Sequence, residues 1–114
     1  MSSKKRTIIF YKNYFESFYL KQREKAQDKI VWTLNLIEEI QDIPGTYLKH
    51  LKGTGGLYEI RVQVGNDIFR IFCFFDEGQL IVLMNGFQKK TQETPKSEIE
   101  KALKIKKEYE QEKK

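Results

Sequence analysis

The chain has 114 residues, with 21 Lys and Arg against 16 Asp and Glu, one His and one Cys, for a formal net charge of +5. That length suits a single domain spanning residues 1–114 that buries about two-thirds of its unfolded surface, and no Pro/Gly/Ser-rich linker divides it. Mixed charges exclude a histone-like polycationic arm, the lone Cys73 excludes an intramolecular disulfide, and no apolar run reaches membrane-spanning length, so a cytoplasmic protein with no membrane partner and a modest bias toward polyanions is expected.

The opening MSSKKRTIIFY is basic, but its apolar run from Ile8 to Tyr11 is too short for a signal peptide. Lys4, Lys5 and Arg6 read as a solvated chain end. Thr7 to Tyr11 is β-branched and aromatic, as a short strand requires. Tyr11, Phe15, Phe18 and Tyr19 then recur at spacings of four, three and one, which predicts a helix with its rings on one face. After a polar break at Lys21 to Lys25, Ala26, Ile30, Leu34, Ile37 and Ile40 form the buried stripe of a second helix, flanked by Trp32 and Leu36, and Pro44-Gly45 ends it. These two segments predict a helical hairpin whose aromatic residues serve the core.

Between Pro44 and Leu57 the chain carries turn chemistry, with Gly53, Gly55 and Gly56. No Gly-Lys-Ser/Thr follows, so these glycines lead into a sheet and do not form a phosphate-binding P-loop. Three strands are predicted over Leu57–Val64, Asp67–Asp76 and Gln79–Gly86, joined at Gly65-Asn66 and Asp76-Glu77-Gly78 as an antiparallel meander. Cys73, between Phe72 and Phe74, reads as a reduced packing residue. A last helix begins near Thr94-Pro95 or at the capping box Ser97-x-x-Glu100, carries Ile99, Ala102, Leu103 and Tyr109 on a narrow apolar stripe, and frays over residues 110–114. The expected fold is α+β: a small antiparallel sheet, made of the N-terminal strand and the meander, packed by the hairpin and the last helix. With the helices assigned to one face, the other is left open for function.

Along that meander run Arg61, Arg70, Lys89 and Lys90, cations repeated on strands that otherwise hide apolar side chains. Arg70 stands between Phe69 and Ile71, where a charge needs a reason. Tyr58, on the strand face opposite Arg61, reads as core.

The segments LKG, LYEIR, the strand ending in FR, LMNGFQKK, and TP before the last helix occur in an order that resembles the RelE/HigB-like toxins of bacterial type II toxin-antitoxin pairs, in particular the phage-derived HigB-like branch. The resemblance covers nearly the whole chain. It implies a RelE-like ribonuclease that enters the ribosomal A site, cuts messenger RNA and arrests translation, and that is neutralised by an antitoxin, commonly a helix-turn-helix HigA-like protein. Arg61 and Arg70 match basic positions that contact the cleaved message, and Lys89 and Lys90 match the basic pair after Gly-Phe. Many relatives carry His where this chain has Asn85, and the only histidine here is His50, before the sheet.

Cleaving RNA without a metal needs the 2′-hydroxyl deprotonated, the pentacovalent phosphate stabilised and the 5′-oxygen protonated. Arg61 and Arg70 suit the phosphate, since a guanidinium grips its oxygens bidentately and keeps its charge. Lys89 or Lys90 becomes an acid or base if neighbouring cations lower its pKa. Glu59, two residues from Arg61 on the same strand face, reads either as a base or as a structural ion-pair partner. Lys52, Glu59, Asn85 and His50 complete the candidate RNA-contacting set. Glu59, Asp67, Asp76 and Glu77 are scattered among turns and cations, so no metal or other cofactor is expected. The alternatives are a non-cleaving toxin, either a ParE-like gyrase inhibitor or an inert A-site or RNA-binding module, and a decayed phage-derived protein kept for its complex with a partner.

Overall fold

A computed structural model describes residues 4–113. Its elements are β1 (Thr7–Phe10), α1 (Tyr14–Leu20), α2 (Glu24–Glu39), β2 (Leu48–His50), β3 (Tyr58–Val64), β4 (Asp67–Phe75), β5 (Leu80–Lys89) and α3 (Lys96–Glu112). They form an α+β fold around one five-stranded sheet of order β1-β5-β4-β3-β2. The meander is as expected, with Gly65 and Gly78 at φ of 60° and 52° in its two turns.

The sheet is mixed, not wholly antiparallel: β1 runs parallel to β5, pairing Thr7 with Leu80 and Phe10 with Leu83. Only a tight turn forces an antiparallel neighbour, and here both helices and three strands separate the pair. A fifth strand, β2, lies in the segment read as turn, where three residues are too few to show a period. Strand β5 also continues past Gly86 to Lys89.

Helices cover both faces, which corrects the expectation of an open one. Phe15, Phe18, Ile30, Ile37 and Leu34 from α1 and α2 pack on Ile60, Val62, Phe69, Ile71, Cys73, Ile81 and Leu83. On the other face Ala102 and Ile105 of α3 pack on Phe72, Phe74, Val82 and Met84. The nearly continuous apolar run of β4 reflects this burial from both sides. Cys73 is fully buried, which pushes its thiol pKa far up and leaves it inert.

Tyr11 departs from the predicted aromatic stripe. It follows β1, the backbone turns at Lys12 with φ 53°, and α1 starts only at Tyr14, so Tyr11 joins the α3 side and meets Tyr109 edge-on at 5.2 Å. Trp32, read as flanking the buried stripe, is 46% exposed. At the far end α3 keeps its helical geometry through Glu112, where fraying was expected. Lys12 pairs with Glu108 and Glu112 at 3.1 and 3.0 Å, and Lys113 pairs with Asp76 at 2.7 Å; Lys114 lies outside the described residues. Neither Thr94 nor Ser97 caps α3: Pro95 holds the N-cap position, without a side-chain cap.

Two local features set up the site. Between Ile71↔Gly86 and Cys73↔Leu83 the register slips by one, so Met84 and Asn85 both oppose Phe72 in a β-bulge that turns both toward α3. A Cβ on Gly86 would lie 2.7 Å from the Phe18 ring, which accounts for a glycine there by packing alone.

Candidate functional site

Strand alternation sends Glu59 and Arg61 of β3 and Arg70 of β4 to the α3 side of the sheet, beyond the stretch that α3 covers. Arg61 and Arg70 are direct cross-strand partners, an arrangement that repels unless a counter-charge is supplied. Glu59, 2% exposed, supplies it. Its Oε2 accepts a hydrogen bond from Arg61 Nε at 3.0 Å and lies 3.2 Å from Arg70 Nε, a close ion pair out of line for a hydrogen bond. Its Oε1 accepts from the Thr94 hydroxyl at 3.2 Å, so the threonine expected to cap α3 instead ties the β5–α3 loop to the cluster.

Both carboxylate oxygens of Glu59 are thus engaged, which favours the ion-pair reading over the base. The arginines present their Nε edges to Glu59. Arg70, 9% exposed, gives one terminal nitrogen to the Phe69 carbonyl at 3.1 Å, and Arg61 reaches the Gly45 carbonyl only at 3.5 Å. Both arginines line a cleft of 380 Å³ with Lys29, Thr46, Tyr47, Val62 and Gln63. Burial lowers the Arg70 pKa, Glu59 opposes that, and Arg61 adds to it.

Lys89 belongs to the same neighbourhood. Burial is the first cause that holds its ammonium below the ordinary lysine pKa, and Arg70, Arg61 and Lys49 add to the shift against the opposing pull of Glu59. Lys90, next along, is exposed and shares a shallow cavity of 600 Å³ with Lys89, Asn66 and Gln92. Lys49 was not anticipated: it sits opposite Glu59 in the β2–β3 register, on a strand too short to be read from the sequence.

The remaining candidates fall elsewhere. His50 pairs with Tyr58 in register and leans on its ring at 5.0 Å, which puts it on the α1/α2 side of the sheet, away from the arginines. Lys52 is exposed in the following turn. Asn85 is 2% exposed; the bulge aims it at α3, where its amide donates to Glu98 Oε1 at 3.2 Å while its own carbonyl oxygen has no partner. Of the eight sequence candidates, Glu59, Arg61, Arg70 and Lys89 therefore come together, Lys90 adjoins them, and Asn85, His50 and Lys52 stand apart.

Among the described residues no group of three or more His, Cys, Asp or Glu is placed to hold a metal ion, and no helix is long and apolar enough to cross a membrane. No curated protein matches the chain. A family model described as phage derived protein Gp49-like (DUF891) matches residues 17–107, from within α1 to within α3, and so includes every residue of the charged cluster. The chain belongs to this Gp49-like family of phage-derived proteins, which is associated with RelE-like toxins of toxin-antitoxin pairs.

Proposed function

We propose that the protein is the toxin of a type II toxin-antitoxin pair of the HigB-like kind, a cytoplasmic endoribonuclease that enters the ribosomal A site and cleaves messenger RNA without a metal. The observation that carries this reading is the pair of arginines bridged by one buried carboxylate beside a lysine of lowered pKa. Glu59 fixes both guanidinium groups in advance, so their remaining N–H donors meet a phosphate without first being ordered. Arg61 and Arg70 stabilise the pentacovalent phosphate. Lys89, as its ammonium, protonates the leaving 5′-oxygen while solvent water takes the 2′-hydroxyl proton, and its lowered pKa brings it closer to the pH at which acid and base forms coexist. Lys90, exposed at the strand end, contacts the backbone of the message. The partner that silences the toxin is an antitoxin of the helix-turn-helix class.

A second reading is a non-cleaving toxin that blocks the A site or binds another target such as gyrase. Asn85 favours it, since no imidazole occupies that position and Asn85 itself is buried against α3. Primer extension on a defined message in a cell-free bacterial translation reaction separates the two, with wild type and Arg70→Ala, each with and without ribosomes. New 5′ ends within the reading frame, seen only with wild type and ribosomes and at least about 100-fold fewer with Arg70→Ala, are expected. Translation halted over an intact message would replace cleavage by binding, and DNA damage signalling in cells would point to gyrase.

A further inference from the structure

The cleft that holds the arginines does not end with them. It shares Lys29 and Gln63 with a second, open cavity of 500 Å³ lined by Lys25, Asp28, Trp32 and Val64. The two adjoin at Lys29 and Gln63 as a channel in two parts along the outer edge of β3. It exists because β2 is short: the Arg61 N–H donates to the Tyr47 carbonyl at 2.8 Å, and two residues further the edge of Gln63 points the same way with no strand beside it.

Aromatic surface stands at the far end of this channel. Trp32 is 46% exposed although it lies on a helix with a well-formed buried stripe, and Tyr47 meets it edge-on at 5.7 Å. The Lys29 ammonium sits 4.2 Å from the centre of the Trp32 ring and lines the arginine cleft as well, so it stands between the aromatic and the cationic ends. Arg61, Arg70, Lys29 and Lys25 oppose a single carboxylate, Asp28, along the channel walls. Cations that track a backbone, followed by a half-exposed indole and an unpaired strand edge, are the elements of a single-strand nucleic-acid site, and volumes of this size accept one nucleotide each.

We propose that this channel is a binding subsite for single-stranded RNA, in which a nucleotide flanking the phosphate held by Arg61 and Arg70 stacks its base on Trp32 while Lys29 takes the intervening phosphate. The proposal rests on the nuclease reading for the role of the arginines, but its own content is the aromatic end of the channel. A purely structural role for Trp32, closing the Tyr47 loop onto α2, makes no demand on RNA.

Trp32 is the only tryptophan, so its emission reports on this end of the channel alone. The experiment titrates the whole protein with a fully 2′-O-methylated hexanucleotide that cannot be cleaved, exciting where tyrosine does not absorb. A fluorescein-labelled copy of the oligonucleotide gives affinities by anisotropy for wild type, Trp32→Leu and Lys29→Glu. Saturable quenching of Trp32, with affinity about tenfold weaker in Trp32→Leu at an unchanged melting temperature, is the expected result. If Trp32→Leu melts lower, Lys29→Glu, which leaves the ring in place, must show the loss of affinity on its own. Oligonucleotide binding that leaves Trp32 emission unmoved and is equally tight in both variants overturns the subsite while leaving the nuclease reading intact. Quenching and weakened variants, found with a protein that never cleaves message on ribosomes, uphold the subsite and remove the nuclease reading.

Discussion

The sheet face beneath α3 has two halves built by the same three strands, and they solve opposite problems. Toward one end β4 presents Phe72 and Phe74 and β5 presents Val82 and Met84, and Ala102 and Ile105 of α3 close over them. Toward the other end the same strands present Arg70, Phe87 and Lys89, with Glu59 and Arg61 alongside on β3, and α3 has already departed. The Phe72 and Phe87 rings, stacked at 5.6 Å, mark the boundary. One half gains stability by removing apolar area from water. The other holds like charges close together around one buried carboxylate, an arrangement that contributes little net stability.

The sharpest way to break this comparison is to exchange what each half depends on. Phe72→Ala removes a fully buried ring between β4 and α3 and should cost about 3–5 kcal/mol in urea unfolding, with RNA cleavage lost only to the extent that the protein unfolds. Glu59→Gln should cost about 3 kcal/mol, because it leaves Arg61 and Arg70 facing each other without their counter-charge. The triple change Glu59→Leu, Arg61→Leu, Arg70→Met should restore wild-type stability or exceed it while abolishing cleavage, since apolar residues of similar volume replace a buried ion cluster without loss. A triple variant as unstable as Glu59→Gln would show that the cluster is structural.

These two halves were not equally legible in the sequence. Ala102 declares itself by period and the meander by its glycine turns, because local pattern and tertiary burial agree there, whereas Ile105 falls outside the predicted α3 stripe and Leu103, read into it, is exposed. The parallel β1 and the helix on the second face did not declare themselves, since both depend on which element packs where after long-range contacts form. Arg61 and Arg70 stood out as charges on apolar strands. Their bridging by Glu59 was open between two readings, and only the geometry shows both carboxylate oxygens engaged. Thr94 was missed for a physical reason: the Thr-Pro pair is a good helix start, and nothing local reveals that its hydroxyl is drawn to a carboxylate 35 residues away in sequence. Trp32, read on the flank of the buried stripe, is half-exposed there beside Tyr47, a neighbour the helical spacing alone does not reveal.

A smaller effect tests the boundary between the halves. Asn85 occupies the bulge and is enclosed by α3, so restoring a histidine at this position should not supply an active-site imidazole. Asn85→His should lower stability by about 1–3 kcal/mol through overpacking and leave the cleavage rate unraised. A variant that cleaves faster at wild-type stability would mean that α3 moves aside when message binds.

The smallest effect is a matter of pH and concerns the charged half alone. A lysine whose folded pKa lies below its unfolded one gives up its proton more readily in the folded protein, so its protonated fraction falls at a lower pH than an ordinary lysine near 10.5. If Lys89 delivers that proton to the leaving 5′-oxygen, the alkaline limb of kcat/KM, which reports the free enzyme, should begin below the ordinary lysine range. Bound phosphate supplies negative charge beside Arg70 and Lys89 and raises the pKa again, so the corresponding limb of kcat should lie at higher pH. Lys89→Arg keeps the charge but does not titrate, and should lose both limbs together with most of the rate. Coincident limbs in the wild type, or limbs that survive Lys89→Arg, would assign the proton to another group and leave Lys89 as one more phosphate contact.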